Sequence, residues 1–393
     1  MSLSFTTKKI VSSYMLISIL FFGYNMLQLP KMPYFAIRFI LMLIVAVYAL
    51  SIIGRNFKNN LGIRLFLGYF LYLVFSFIFI FIYDYPVSLI TDAVLSGLFP
   101  MLFFLVGVED KNVPLFENRF YRYYFWGTIF LFICSIYLFV TMPSWYMSWK
   151  ISMLPDEWQE NPRVLGAMSG FSGSGYLVGY SALFSFCYLL FRIKFKTTKK
   201  YDYILLFVVV FCLIFSQVRV AILAAVIVLL WYIFTTLNLK NFFLLMAAGI
   251  LLVAVFSYIV TNSETLSTLF DFFTSKVEGA SEDTRYETGL ALLSKQTNFI
   301  FGHGYGSGGH EADTLGLPSV TDFEYVKLFY ETGIIGFVMF IAIIFKVFSR
   351  KPRISFELFI IMFYLIAMFI ANPLTADATM SPVFWYAVGR RLA

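Results

Sequence analysis

The chain is organised as long apolar runs separated by short polar stretches, a pattern that predicts membrane spans. Each run contains about 20 mainly apolar residues, the length that an α-helix needs to cross a hydrocarbon core of about 30 Å. The sequence therefore predicts an all-α polytopic transmembrane helix bundle of about 12 spans, with a large external loop that contains short amphipathic helices. The predicted spans are residues 10–29, 33–53, 64–83, 88–108, 122–141, 164–191, 202–217, 220–237, 242–261, 333–348, 355–372 and a short segment at 377–390.

Composition supports a lipid environment for the whole chain. Hydrophobic residues make up 60% of the 393 residues and charged residues only 13%, which is more apolar surface than one soluble core of this length hides. Residues 1–393 are therefore predicted to form a single integral membrane domain. Cys134, Cys187 and Cys212 all lie inside apolar runs, where a thiol behaves as a small hydrophobe and neither a disulfide nor thiol catalysis is implied.

The distribution of positive charge predicts which helix ends face the cytoplasm. Of the 29 lysines and arginines, 20 fall in one set of loops and termini, eight fall in the other set, and Arg38 lies within the second span. Cytoplasmic loops carry the excess of Lys and Arg in membrane proteins. Both termini are therefore predicted on the cytoplasmic side.

The turn before Arg219 decides the topology of the second half of the chain. A single span over residues 202–237 would place Arg219 in the middle of the bilayer and would turn the basic cluster at 350–353 outwards. Two spans joined by a tight external turn avoid both costs. We therefore predict a helical hairpin with Arg219 at its outer end.

Two external loops, residues 142–163 and 262–332, hold most of the polar residues outside the spans. Long loops on a rigid scaffold are common places for function. The aromatic residues of the first loop are Trp145, Tyr146, Trp149 and Trp158. They fit two roles, anchors at the membrane interface or platforms on which a glycan stacks.

Three external arginines, Arg163, Arg219 and Arg285, are candidate ligands for a pyrophosphate group, which a guanidinium binds through two parallel hydrogen bonds. Arg285 follows the helix start at Thr284, where the positive end of the helix dipole disfavours a cation unless an anion is bound there. Two alternatives stay open. Arg163 fits a snorkelling interfacial side chain, and Arg285 fits a solvated ion pair with neighbouring acids.

The sequence Gly-His-Gly-Tyr-Gly-Ser-Gly-Gly-His at residues 302–310 is the most unusual stretch of the second loop. Its spacing matches the dinucleotide-binding pattern, but no strand–loop–helix unit surrounds it, and we reject that match. Backbone amides here can approach a phosphate, although a merely mobile loop fits equally well. The candidate site residues of this loop are Gly302, Gly304, Tyr305 and Gly306. Both histidines of the chain, His303 and His310, lie in this stretch and are candidate acid–base residues.

A second helix is predicted to begin near Asp322 and Glu324, which occupy positions typical of a helix start, and to end at Gly333. Glu324, Lys327 and Glu331 share one face of this helix because they are spaced i, i+3 and i+7. A carboxylate on that face is a candidate base for an acceptor hydroxyl. We favour Glu324 over Asp322 and Glu331, since Asp322 has the more ordinary role of a first-turn acid.

Other catalytic motifs are absent from the sequence. It has no phosphate-binding loop of the G-x-x-x-x-G-K type, no H-E-x-x-H, no G-x-S-x-G and no Asp-x-Asp pair. ATP hydrolysis, zinc proteolysis, serine hydrolysis and a metal-bound nucleotide-sugar site therefore lack support. No metal site is predicted, since the nearby acids form only weak candidates for a divalent ion.

Taken in order, the external segments resemble the O-antigen ligase/polymerase superfamily over about residues 160–340. The matching features are Arg163-x-x-Gly166 before a span, Ser216-x-x-Arg219 at a tight turn, Arg285, Gly302-His303-Gly304-Tyr305-Gly306, and Glu324-Tyr325 followed by Glu331-Thr332-Gly333-Ile334-Ile335-Gly336. Ligases of this superfamily commonly have a His at the position of Asp322. This difference favours the polymerase branch.

The resemblance implies a multi-pass O-antigen polymerase of the bacterial inner (plasma) membrane whose active site faces the periplasm. Its reaction would be a metal-independent, inverting glycosyl transfer that needs no cofactor and uses undecaprenyl-pyrophosphate-linked oligosaccharide. Expected partners are membrane lipids, a chain-length regulator and a flippase, with no nucleic acid. The alternatives are an O-antigen ligase or capsule polymerase of the same superfamily, or a flippase for lipid-linked oligosaccharide.

Overall fold

The computed structural model shows an all-helical protein over residues 11, 13–14, 31–57, 60–152, 167–170, 175–236, 289–319, 323–349, 355–369, 374 and 380–392, which are the residues that the structure describes. No β-strand occurs among them. The helices are α1 (Lys31–Asn56), α2 (Leu61–Ile82), α3 (Ser88–Glu109), α4 (Arg119–Thr141), α5 (Ser144–Ser152), α6 (Gly175–Lys194), α7 (Lys200–Phe215), α8 (Arg219–Thr236), α9 (His310–Thr314), α10 (Glu324–Ser349), α11 (Phe356–Ala367) and α12 (Ser381–Leu392).

Five helices in the described part of the chain, α2, α3, α4, α6 and α10, are long and apolar enough to cross a membrane. They coincide with five predicted spans, although α6 begins at Gly175 and α10 begins nine residues before its predicted span. Helices α1, α7, α8, α11 and α12 occupy further predicted segments. The predicted spans 10–29 and 242–261 lie outside the described residues, apart from three positions. The all-α prediction is confirmed for the described residues, and a bundle of 12 spans is not confirmed.

The chain divides into two compact units. The first comprises Met1–Phe21, Pro30–Tyr124 and Ala280–Ala393, and the second comprises Phe22–Leu29 and Phe125–Gly279. Helices α1 to α3 and α9 to α12 belong to the first unit, α5 to α8 belong to the second, and the boundary in the chain falls within α4.

Glycine residues let α3 and α12 of the first unit pack backbone against backbone. A Cβ atom at Gly389 would overlap the Phe104 carbonyl, and one at Gly107 would overlap the Tyr386 carbonyl. Small residues allow this close approach between helices in a membrane, where packing replaces the hydrophobic effect as the main attraction. Because α12 is buried along most of its length, this short helix is a core element of the first unit.

Ion pairs gather at one end of the first unit. Arg55 lies 3.4 Å from Glu109, and Arg390 lies 2.8 Å from Glu357 while donating to the carbonyl of Asp110. The distribution of positive charge predicts Arg55 and Arg390 on the same, cytoplasmic side of the membrane. Their partners Glu109 and Asp110 are adjacent in the chain, which agrees with that grouping, and the side they face stays a prediction.

The turn between α7 and α8 in the second unit consists of Ser216, Gln217 and Val218, and it confirms the predicted helical hairpin. Gln217 adopts a left-handed conformation with φ 58°, and the Val218 amide donates to the Ser216 hydroxyl. A Cβ atom at Gly175 of α6 would overlap the Ser216 carbonyl, so a glycine there allows α6 to approach the turn closely. Arg219 is the exposed first residue of α8.

Two aromatic residues of the first predicted loop are packed inside the second unit. Tyr146 and Trp149 of α5 are buried and stack with their ring centroids 5.9 Å apart. The Tyr146 hydroxyl donates to the Gly170 carbonyl, and the buried Lys150 ammonium donates to the Ala167 carbonyl at 2.8 Å. Tyr146 and Trp149 are therefore core residues, which contradicts both of their predicted surface roles.

An exposed aromatic side chain remains at Trp145, where both predicted surface roles stay open. Trp158 lies outside the described residues.

We expect the two ends of the first unit to face opposite sides of the membrane, which cysteine labelling measures directly. Ser294 and Ser349 are both exposed and lie on opposite sides in the predicted topology. A membrane-impermeant maleimide should label Ser294→Cys in intact spheroplasts and should label Ser349→Cys only after permeabilisation, because the excess of Lys and Arg predicts Ser349 in the cytoplasm. Labelling of Ser349→Cys in intact spheroplasts would refute the topology.

Candidate functional site

Helix α10 is broken at Gly333, close to the candidate acids. Gly333 has φ 61° and ψ −169°, a conformation that only glycine adopts readily, and a Cβ atom there would overlap the Ile300 carbonyl. The predicted helix end at Gly333 is thus a break, since a second helical segment continues to Ser349. The first segment carries Glu324 and Glu331.

The residues before and within the glycine-rich stretch pair with the backbone groups that this break releases. One further partner is the Tyr72 hydroxyl of α2, which donates to the Thr332 carbonyl at 2.6 Å. Unpaired backbone groups in an apolar environment cost several kcal/mol each, roughly, so the break depends on these partners. The backbone hydrogen bonds run from His303 N to Tyr330 O (3.0 Å), Gly304 N to Glu331 O (2.9 Å), Ile334 N to Phe299 O (2.8 Å) and Ile335 N to Ile300 O (3.3 Å).

Residues 302–309, which we call the glycine loop, are packed against helices α2 and α3 of the same unit. The Tyr305 amide donates to the Ser76 hydroxyl at 3.1 Å. The Tyr305 side chain is buried against Gly97, which lies in a π-helical segment of α3, and a Cβ atom at Gly97 would overlap the phenol oxygen. The glycine loop is therefore packed against other elements of the first unit and is not a solvated loop.

The amides of three of the four loop residues singled out from the sequence have partners within the protein. The amide of Gly302 donates to the Asn298 carbonyl, that of Gly304 to the Glu331 carbonyl, and that of Tyr305 to Ser76. A phosphate would have to displace these internal partners. The fourth residue, Gly306, is packed against Ala93 and Leu89 of α3.

The three charged residues of α10 that precede Gly333 are all buried, with exposed fractions of 3% for Glu324, 5% for Lys327 and 1% for Glu331. Glu331 Oε1 accepts from the Gly308 amide at 3.1 Å and lies 4.0 Å from Lys327 Nζ. Glu324 Oε2 accepts from the Leu374 amide at 3.3 Å. The predicted shared face is confirmed, and it points into the protein. Buried charges are costly unless they are paired, so this cluster constrains the loop above it.

His303 is held between two phenol rings. Its imidazole stacks on Tyr330 with centroids 4.4 Å apart and lies 4.7 Å from the Tyr83 ring. Burial lowers the pKa of His303 from its ordinary value, and a backbone contact with Tyr330 opposes this effect. The neutral imidazole is thus the favoured form in the fold.

Both ring nitrogens of His303 have neighbouring polar side chains. Nδ1 lies 3.1 Å from the Gln296 Oε1, and Nε2 lies 3.0 Å from the Thr297 hydroxyl. The Gln296 side-chain amide nitrogen donates to the Asn298 carbonyl at 2.7 Å. Gln296 is buried, whereas Thr297 is exposed. Gln296 and Thr297 are not predicted from the sequence, because neutral polar residues in a loop carry no motif.

The remaining predicted site residues lie outside the described residues or side chains, or belong to the second unit. Arg163, Arg285 and Asp322 lie outside the described residues. His310 begins α9, and its side chain is not described. Arg219 belongs to the second unit. The convergence of the three arginines on one cavity therefore stays a prediction.

The segment that follows Arg163 lies beside the hairpin that carries Arg219. The Met168 amide donates to the Phe215 carbonyl at 2.8 Å, one residue before the turn. Met168, which follows Arg163 by five residues in the chain, therefore lies beside the turn that precedes Arg219.

No known protein family, curated protein or solved structure matches the chain. The order of the motifs in the sequence and the geometry of the site are therefore the basis for a functional proposal.

Replacement of Gly333 should destabilise the protein. We expect Gly333→Ala to lower the free energy of unfolding by about 2 kcal/mol or more, because a left-handed alanine is strained and its Cβ would overlap a carbonyl. Gly54→Ala in α1 is the matched control, since a Cβ there has no neighbour within 4 Å. Thermal unfolding of the purified protein in detergent compares the two, and equal melting temperatures would contradict the assigned break.

The environment of His303 predicts how stability depends on pH. Because the fold lowers the pKa of His303 from its ordinary value of 6.5, the unfolded chain takes up this proton at a higher pH than the folded chain. The contribution of His303 to the free energy of unfolding is therefore fully present above pH 6.5, and it is lost as the pH is lowered through and below that value. Melting temperatures between pH 8 and pH 5 should show a smaller fall in His303→Gln, whose side chain does not titrate. An equal fall in both proteins would refute the assignment.

Proposed function

We propose that this chain is an O-antigen polymerase, an integral membrane glycosyltransferase that joins undecaprenyl-pyrophosphate-linked oligosaccharide repeat units at the periplasmic face of the bacterial inner membrane. The proposal rests on the resemblance of the external segments to the O-antigen ligase/polymerase superfamily and on one structural observation. That observation is the buried charged face of α10, covered by the glycine loop at one end of a helix long enough to span a membrane.

The position of these charges favours a reaction at the membrane surface. Glu324, Lys327 and Glu331 all lie within the first eight residues of the 26-residue helix α10. A transporter for lipid-linked sugars usually places its ionisable residues near the middle of the bilayer. Ionisable groups at a helix end instead suit a substrate whose lipid stays in the membrane while its sugar and phosphates reach the surface.

The proposed chemistry requires two kinds of protein group. The bond between the anomeric carbon and the pyrophosphate breaks, and the pyrophosphate leaves with the electron pair, so its negative charge needs stabilisation by cations such as Arg219. The acceptor hydroxyl forms the new glycosidic bond and loses a proton, so it needs an acceptor such as His303, Glu324 or Glu331. Inversion follows from a single displacement.

A deletion strain tests the proposed function. We expect its lipopolysaccharide to carry a core capped with one repeat unit, because ligation proceeds while polymerisation stops. Gel and mass analysis of the polysaccharide measure this. A core without any repeat unit would indicate a ligase or flippase, and unchanged long chains would rule out a role in this pathway.

Arg219 variants in the same strain test the pyrophosphate contact. We expect Arg219→Ala to abolish most chain elongation and Arg219→Lys to restore only a small part, because an ammonium does not reproduce a two-point guanidinium contact. Arg122→Ala, which changes an exposed arginine on the predicted cytoplasmic side, is the control. Normal chain length in both Arg219 variants, at normal abundance in the membrane, would show that Arg219 does not contact the substrate.

A further inference from the structure

A chain of hydrogen bonds runs from the hydroxyl of the exposed residue Thr297 to the buried amide of Gln296 through the His303 ring. The Thr297 hydroxyl lies 3.0 Å from Nε2, and the Gln296 Oε1 lies 3.1 Å from Nδ1. Acid–base sites are commonly built from three parts: a hydroxyl, a ring that accepts its proton and a third group that orients the ring.

The partners of Gln296 define which ring nitrogen carries the proton. Its amide nitrogen donates to the Asn298 carbonyl, so its oxygen faces His303 and accepts from Nδ1–H. In the neutral ring, Nε2 is then the acceptor, and the Thr297 hydroxyl donates to it. Asn298 is itself fixed, because its carbonyl also accepts from the Gly302 amide at 2.9 Å.

We propose that Thr297 and His303 form the proton relay for the acceptor sugar in the reaction proposed above, with Gln296 as the residue that positions the ring. This inference rests on the proposed function. The acceptor hydroxyl donates to Thr297 Oγ1, and Thr297 and His303 are the catalytic residues in this assignment.

Each proton and electron pair has a destination in this step. The acceptor oxygen bonds to the anomeric carbon as the bond to the pyrophosphate oxygen breaks, and the pyrophosphate takes the electron pair. The acceptor proton passes to Thr297 Oγ1 while the Thr297 proton passes to Nε2 of His303. The resulting imidazolium keeps its Nδ1–H on Gln296 and later releases the other proton to water.

Accessibility distinguishes this relay from the carboxylates of α10. Glu324 and Glu331 are buried and accept from backbone amides, whereas the Thr297 hydroxyl belongs to an exposed residue. The neighbouring Phe299 and Ile300 are more than half exposed, at 58% and 55%. A hydroxyl on an exposed residue beside exposed apolar side chains suits an acceptor sugar attached to a membrane lipid.

The groups around His303 allow a neutral ring to act as proton acceptor. The titratable side chains against it are the phenols of Tyr83 and Tyr330, with Tyr85 packed on Tyr83 and Glu331 next along α10. Burial lowers the pKa of His303 from its ordinary value, so the ring stays neutral at neutral pH. The rate of chain elongation should therefore fall only at acid pH.

Substitutions at Thr297 test the relay in membrane vesicles from the deletion strain, each supplied with lipid-linked repeat units extracted from that strain. We expect Thr297→Val to reduce the rate of elongation by about 100-fold, the scale of acid–base catalysis, and Thr297→Ser to restore most of it. Thr314→Val is the matched control, because it removes an exposed hydroxyl from α9. A normal rate in Thr297→Val alongside an active wild type would overturn the relay and leave the proposed function standing.

Gln296→Glu tests the positioning role through the pH profile. A carboxylate at this position would raise the pKa of His303 by favouring the imidazolium, so the acid limb of the rate profile should move to higher pH. An unchanged acid limb would overturn the assignment of His303 as proton acceptor. If wild-type vesicles fail to elongate the repeat units at any pH, the proposed function itself is wrong.

Discussion

The break in α10 is the constraint on which the rest of the first unit depends. A helix that is interrupted in an apolar environment leaves amides and carbonyls that lipid cannot pair, and the chain must bring its own partners to them. Residues 299–304 supply these partners on both sides of Gly333. The glycine loop is therefore fixed by backbone hydrogen bonds before any of its side chains contributes. Its glycines allow close packing, because a Cβ atom would overlap the Glu331 carbonyl of α10 at Gly302, Ile80 of α2 at Gly304 and Ala93 of α3 at Gly306.

The same pairing determines the chemistry of the site. Because His303 N donates to Tyr330 O, the His303 side chain is directed to the faces of Tyr330 and Tyr83. The Gly308 amide reaches Glu331, which gives a buried carboxylate a partner in addition to Lys327. A buried charge that loses a partner destabilises a protein strongly. The glycine loop, the break at Gly333 and the charged face of α10 therefore stabilise one another.

Much of the helical framework follows from sequence, because apolar length and positive charge act independently of detailed packing. The hairpin at Arg219 was predictable for this reason, as was the common face of Glu324, Lys327 and Glu331, which follows from helix periodicity alone. The helix end at Gly333 and the span after it were also predicted. The pairing of residues 299–304 with the backbone at this break was not, since a glycine after a helical pattern does not show which groups will pair with the broken helix. The burial of Tyr146 and Trp149 was missed because interface and core aromatics have the same sequence signal. Gln296 and Thr297 were invisible because their role depends on tertiary contacts with His303.

The surroundings of His303 suit the acceptor side of the proposed reaction. An inverting transfer from a pyrophosphate carrier has two electrostatic demands, removal of a proton from the acceptor and stabilisation of the charge on the leaving group. A proton acceptor that lay beside a cation would be disfavoured as its own charge became positive. The rings stacked on His303 are the phenols of Tyr83 and Tyr330, and the side chains at its nitrogens are the neutral Gln296 and Thr297. Because none of these four side chains is a cation, the ring can gain a proton without repulsion from them, while the charge of the leaving group is assigned to the predicted arginines.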